Sequence, residues 1–219
     1  MRFQNREEGG RLLAERLRPY AVDATAIVLG LPRGGVVTAD VIAEQLDLPL
    51  DVMIVRKLGT PWQPELAMGA IASGGIRVLN REVIDPLRIS QKQIDEVAAR
   101  EEAELARREK LFRADRPALS LSGRTVIIVD DGIATGSTML AAIRCVRTQK
   151  PSRIVMAVPV APPSTCRKLG SEVDDVVCLS TPEPFKAVGD WYDDFAQVED
   201  HEVVALMKKA AERTDLVAH

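Results

Sequence analysis

The chain has 219 residues, is 46% hydrophobic and 28% charged, and carries a formal net charge of −3. That length fits one domain of ordinary size or one domain with an insertion, and the composition allows a substantial core. Acidic and basic residues are interspersed, with no Lys- and Arg-dense stretch, which argues against a general nucleic-acid binder. No apolar run reaches the ~18–20 residues that a membrane span needs, and the opening residues lack the apolar core of a signal peptide. Three widely spaced cysteines, Cys145, Cys166 and Cys178, suit free thiols in a reducing cytoplasm. Cys166 stands beside Arg167 and Lys168, which favour a thiolate, but an inert thiol is the better reading. With His201 and His219 the only histidines, neither a histidine zinc site nor a catalytic triad is expected.

Residues 6–18 place Leu12, Leu13 and Leu17 among charges, the pattern of an amphipathic helix. The run AIVLGL (26–31) reads as a buried strand ending in Pro-Arg-Gly-Gly, and residues 36–46 as a helix. LDVMIV (50–55) is a second buried strand and ELAMGAIA (65–72) a third. Residues 73–123 read as a largely helical insertion. Within it, residues 89–113 have Ile94, Val97, Glu101, Leu105 and Arg108 at helical spacing, which predicts a long, largely exposed helix. Such a helix suits a solvated insertion, with a dimer contact or a lid as alternatives. Alternation then resumes, with strands at 125–130, 153–161 and 174–180 and helices at 136–149, 163–170 and 199–213. The expectation is an α/β, Rossmann-like fold: one domain built on a parallel sheet of about five or six strands with flanking helices.

The chemistry concentrates in RTVIIVDDGIATGSTML (124–140). In an open parallel sheet, ligands bind beyond the carboxyl ends of the strands, where Asp130 and Asp131 would stand. The following loop opens a helix, whose N-terminal N–H groups and partial positive charge suit a phosphate. Thr135, Ser137 and Thr138 add hydroxyl donors, and Gly136 permits close backbone approach. The carboxylates would repel a phosphate but accept strong hydrogen bonds from hydroxyl groups. A ribose 5-phosphate satisfies both demands.

VIIVDDGIATGST closely resembles the phosphoribosyl pyrophosphate (PRPP) signature of type I phosphoribosyltransferases. The resemblance implies that Asp130 and Asp131 hold the ribose hydroxyls and that the loop Ala134, Thr135, Gly136, Ser137 and Thr138 holds the 5′-phosphate. GLPRGGVVTADVIA resembles the family's pyrophosphate loop, which assigns the leaving group to Arg33, Gly34 and Gly35. IVRKLGTPWQPELAMGAI resembles its Arg-Lys pair, Arg56 and Lys57, followed by a mobile loop at 58–66 that closes over the site. The resemblance covers residues 26–72 and 124–180. It implies transfer of the phosphoribosyl group to a nucleobase or similar small nitrogen nucleophile, with Mg²⁺ arriving on PRPP rather than in a protein cage. Dimers are common in the family, so a homodimer is a further expectation.

Two departures bear on substrate choice. The aspartate proposed as general base in the 6-oxopurine branch is replaced by Ala134; if a base is needed, Glu65 after the mobile loop is the candidate, with a solvated loop carboxylate as the other reading of that residue. The lysine that reads the purine oxygen in that branch has no counterpart in PVAPPST. A hood at 180–200 would hold the base. It includes PEPFKAVGDWYDDF, where Phe185 matches the branch's stacking position and Trp191 or Tyr192 add to it. Four of the eight aromatics fall between 185 and 195, which suits a stacking surface or an aromatic anchor for the C-terminal segment. The competing reading is a non-catalytic regulator that senses PRPP or a nucleotide, with RNA as a candidate partner. Arg56, Lys57 and the Gly-Gly pair favour the enzyme, and a dinucleotide-binding oxidoreductase lacks its G-x-G-x-x-G.

Overall fold

The computed structural model describes residues 1–114 and 116–217, without the side chains of 214–217. Five strands form a parallel sheet: β1 (Ile27–Gly30), β2 (Leu50–Val52), β6 (Thr125–Val129), β7 (Arg153–Val160) and β8 (Asp175–Ser180), in the order β2-β1-β6-β7-β8. Both faces are covered, so successive residues of one strand enter different cores. Ile127 and Val129 of β6 join the core beneath α1 (Arg6–Leu17), α2 (Gly34–Leu46) and α7 (Asp200–Val217). Val126 and Ile128 join the core beneath α5 (Ser137–Thr148). Burial on both faces explains why these strands read as unbroken apolar runs, each such Val or Ile contributing about 1.5–3 kcal/mol.

The order β2-β1-β6 contains the switch point that positions the site. From β1 the chain winds outward to β2, then returns to place β6 on the other side of β1, with Gly30 registered against Val129. A crevice opens where neighbouring strands send their connections in opposite directions. The chain leaving β1 supplies Arg33 to Gly35, and the chain leaving β6 supplies Asp130 to Ser137.

Two expectations need correction. The run 50–55 is not one strand: it leaves the parallel sheet after Val52, and β3 (Val55–Gly59) begins a second sheet. The run 65–72 does not extend the parallel sheet either; β4 (Ala67–Ala72) pairs antiparallel with β3. A parallel return needs a crossover of about a dozen residues or more, and the connection from β3 to β4 is too short. β5 (Ile76–Leu79) completes this sheet after a turn in which Gly74 and Gly75 take positive φ of 80° and 74°.

A short helix, α3 (Arg81–Ile84), leads to α4 (Gln91–Arg113), which opens with a capping box between Ser90 and Gln93. The helix forms where expected but is exposed on one side only. Ile94, Val97, Ala98, Leu105 and Phe112 are buried in the core shared with β3, β4 and α7. Its last residue, Arg113, donates to both carboxylate oxygens of Asp51 at 2.8 and 3.1 Å and anchors the segment to β2. α6 (Pro163–Gly170) connects β7 to β8. Burial pushes the Cys145 thiol up to about 12. Cys166 is lowered by a hydrogen bond from Cys178, opposed by burial, so its cause is a neighbouring thiol rather than Arg167 or Lys168. His201 lies on α7, and His219 falls outside the described residues. Among the described residues no helix is long and apolar enough to cross a membrane.

Candidate functional site

Asp130 and Asp131 follow β6 directly, at the mouth of the crevice. Burial and the adjacent Asp131 charge raise the Asp130 pKa well above the usual carboxylate range, while Arg6 pulls it back. Asp131 is gripped from two sides. The Arg6 guanidinium donates through Nε to Asp131 Oδ2 at 2.7 Å, with the two side chains only 11% and 15% exposed. The Tyr192 hydroxyl donates to the Asp131 carbonyl oxygen at 2.5 Å. Burial and the Asp131 charge push the Tyr192 phenol upward, so it remains a donor.

The turn opening α2 lies against the same carboxylate. A Cβ added at Gly34 would fall 1.9 Å from Asp131 Oδ2 and 2.8 Å from Arg6 Nε. The backbone at 34 therefore approaches the acid as no larger residue allows. Arg33 caps α2 and directs its guanidinium to Glu199 and Asp200 at 3.5 and 3.7 Å.

Beyond the acids, the loop is clamped from below. Ile133 N–H donates to Val160 O at 2.9 Å, and Thr165 Oγ1 donates to Ala134 O at 2.8 Å. Gly136 turns the chain into α5 with φ of 77°, a conformation that favours glycine. α1 and α4 are capped by Asn5 and Ser90, but no side chain caps α5. Its first turn, which has N–H groups free of helical partners, lies beside exposed Thr135, Ser137 and Thr138, with Thr135 and Ser137 hydroxyls 3.3 Å apart.

Lys57 and Arg56 do not act from one place. Strand alternation sends them to opposite faces of the second sheet. Lys57 faces α5 and lines a cleft of about 160 Å³ with Glu65, Asn80, Ser137 and Arg144. Lys57, Glu65 and Ser137, drawn from three separate segments, therefore line one cleft. Arg56 turns the other way and pairs with Glu101 of α4, Nε to Oε2 at 2.8 Å. Glu101 fits the helical spacing of α4, and this is its use.

In the hood, Phe185 and Trp191 stack at 6.3 Å between centroids, and Tyr192 and Phe195 at 4.9 Å. Phe3, Val160 and Tyr192 form the buried centre of this cluster, against which Phe185 and Trp191 pack half-buried. The aromatics thus anchor the segment, and Val188 presses it onto Gly132 next to the acids. Sequence reasoning missed Arg6 and the role of Tyr192 as a support for Asp131. An arginine in an N-terminal helix gives no local sign of a partner 125 residues away.

Fold and site define a class: a parallel α/β protein with a carboxylate pair and an uncapped helix at the switch point of its sheet. A family model of the phosphoribosyl transferase domain matches residues 4–194, and the chain belongs to that family. A crystal structure of a Thermus thermophilus protein is 43% identical and superposes with a TM-score of 0.86, covering 95% of this chain and 99% of that one. Proteins from two Mycobacterium tuberculosis strains, provisionally named phosphoribosyl transferases, are 46% identical over 208 residues, or 95% of this chain. The chain spans about half the length of those relatives, 47%. A ribose-phosphate pyrophosphokinase from Methanopyrus kandleri is 38% identical over 74 residues, 32% of this chain and 25% of that protein. The type I phosphoribosyltransferase resemblance and the α/β fold expected from sequence are thereby met.

Proposed function

We propose that the protein transfers the 5-phosphoribosyl group of PRPP to a nucleobase or similar small nitrogen nucleophile, releasing pyrophosphate. One observation carries this reading: a half-buried carboxylate pair, a glycine turn and an uncapped helix converge at the switch point between β1 and β6. Asp130 and Asp131 accept the ribose hydroxyls, and the α5 N-terminus with Thr135, Gly136, Ser137 and Thr138 takes the 5′-phosphate. Displacement at ribose C1 builds positive charge on the sugar ring and negative charge on the departing pyrophosphate. The carboxylates lie on the side of the ring charge. Backbone N–H groups at Gly34 and Gly35, with Arg33 and Lys57, take the leaving-group charge.

Among the described residues no three His, Cys, Asp or Glu side chains are grouped to hold a metal ion. Magnesium fits this site as a cation carried in on the oxygens of PRPP, where it neutralises the diphosphate. Arg56 joins the pyrophosphate site only after releasing Glu101. The loop is shorter than the expected 58–66, because Leu58 and Gly59 belong to β3; residues 60–66 close over the bound sugar and exclude water, with Trp62 64% exposed on that loop. Glu65, which shares the cleft with Lys57, receives a proton from the acceptor, and the hood of Phe185 and Trp191 holds the base.

The test is pyrophosphate release from PRPP and Mg²⁺ with a panel of purine, pyrimidine and pyridine bases. Release that requires both PRPP and one base supports transfer. PRPP binding with no base-dependent release across the panel overturns it and favours a PRPP sensor.

A further inference from the structure

Arg6 occupies an unusual junction. Asn5 caps α1, its side chain accepting from Glu8 N–H at 2.9 Å, and this sets Arg6 as the first helical residue. The preceding residues are laced to the hood: Phe3 N–H donates to Trp191 O, Asp193 N–H to Phe3 O and Asp194 N–H to Gln4 O, each at 2.8 Å. From that position the guanidinium does three things at once. It donates through Nε to Asp131, through Nη1 to Ala196 O at 2.8 Å, and lies 3.9 Å over the Phe195 ring. Planar stacking, a fork of donors and near-complete burial fix its orientation as no lysine would be fixed.

We infer that Arg6 is a positioning residue for the ribose carboxylates, holding Asp131 in one orientation and favouring the charged form of Asp130 beside it, so that both accept sugar hydroxyls. The inference rests on the proposed reading of this site as the PRPP site. Burial and the neighbouring Asp131 charge favour the protonated form of Asp130, and a protonated acid is a poorer acceptor. The charged and titratable groups facing the pair are Arg6 from α1, Tyr192 from the hood and the two acids themselves. Arg33, at the start of α2, directs its charge to Glu199 and Asp200. Among the described residues, Arg6 is thus the cation paired with Asp131. Because it also grips Ala196 and Phe195 of the hood, the element that would hold the acceptor is tied to the element that would hold the ribose.

The experiment compares wild type, Arg6→Met and Arg6→Lys in two ways. The first follows the Asp130 carboxyl by ¹³C NMR against pH in the ligand-free protein. Removing the cation is expected to move its midpoint upward by about one unit, with Arg6→Lys returning most of the shift. The second is calorimetric titration with PRPP and Mg²⁺ from pH 5 to 9. Arg6→Met is expected to weaken binding by about tenfold at pH 7 and to move the acidic limb of the profile upward, with Arg6→Lys again restoring part. Arg6→Gln, which keeps a donor for Ala196, serves if Arg6→Met does not fold. An unchanged Asp130 midpoint together with an unchanged pH profile overturns the inference. If wild type binds no PRPP, the proposed function falls, and the ligand-free titration still decides whether Arg6 favours the charged form of Asp130.

Discussion

The two rims of the crevice are built differently. The carboxylate rim is assembled: Asp131 is held by Arg6 and Tyr192, Gly34 sits against it, and the loop beyond is pinned by Val160 and Thr165. The basic rim is dispersed. Arg33 is drawn to Glu199 and Asp200, Arg56 to Glu101, and Lys57 stands exposed over a cleft beside α5. The first rim holds Asp130 with a raised pKa at the expense of stability, as a preorganised site does. The second keeps its two arginines in weak, partly exposed pairs that a competing anion could replace. On the proposed reading, sugar recognition would fall to a rigid frame and leaving-group recognition to a rearrangement.

That contrast can be broken at its tightest point first. Gly34→Ala forces a Cβ into Asp131 Oδ2, which Arg6 prevents from swinging aside; PRPP affinity is expected to fall by about 10–100-fold. Calorimetry on the folded variant checks it, and wild-type affinity would show the rim to be soft. On the basic rim, Lys57→Ala is expected to weaken pyrophosphate binding by about tenfold. Arg56→Ala should weaken it by no more than about threefold, because the energy recovered from binding is partly offset by losing the Glu101 pair. Equal effects in competition titrations would mean that the rearrangement carries no penalty.

The smallest effect concerns stability. A folded-state pKa above the unfolded value makes an ionised Asp130 destabilising at high pH, and the penalty fades as pH falls toward the ordinary carboxylate range. Asp130→Asn is thus expected to raise Tm at pH 8 by about 2–4 °C while weakening PRPP binding. The gain should shrink at pH 4.5. Thermal melts at both values check the sign, and a lowered Tm at pH 8 would contradict it.

Local chemistry made one rim legible in the sequence. Four apolar residues, two acids and a hydroxyl-rich loop are contiguous, so strand end, carboxylates and helix start could be read together. The parallel strands were legible for the same reason, being buried on both faces. What failed was non-local or depended on connection length. Treating 65–72 as a further parallel strand overlooked how short the link from β3 is, and Gly74-Gly75 between apolar runs was an unused hairpin signal for β5. Period-two alternation would have separated Arg56 from Lys57 had 55–59 been read as a strand. Arg6 carried no such signal, since its meaning comes from a fold that brings α1 to the end of β6.

The measurement that tests the central claim most directly is calorimetric titration with PRPP, with and without Mg²⁺, of wild type beside an Asp130→Asn/Asp131→Asn double variant. Saturable wild-type binding is expected, falling by about 100-fold or more in the variant, since two charge-assisted acceptors are lost. Equal binding by both proteins would contradict the claim by placing the sugar elsewhere. No binding by folded wild type would mean that the carboxylate rim serves another ligand.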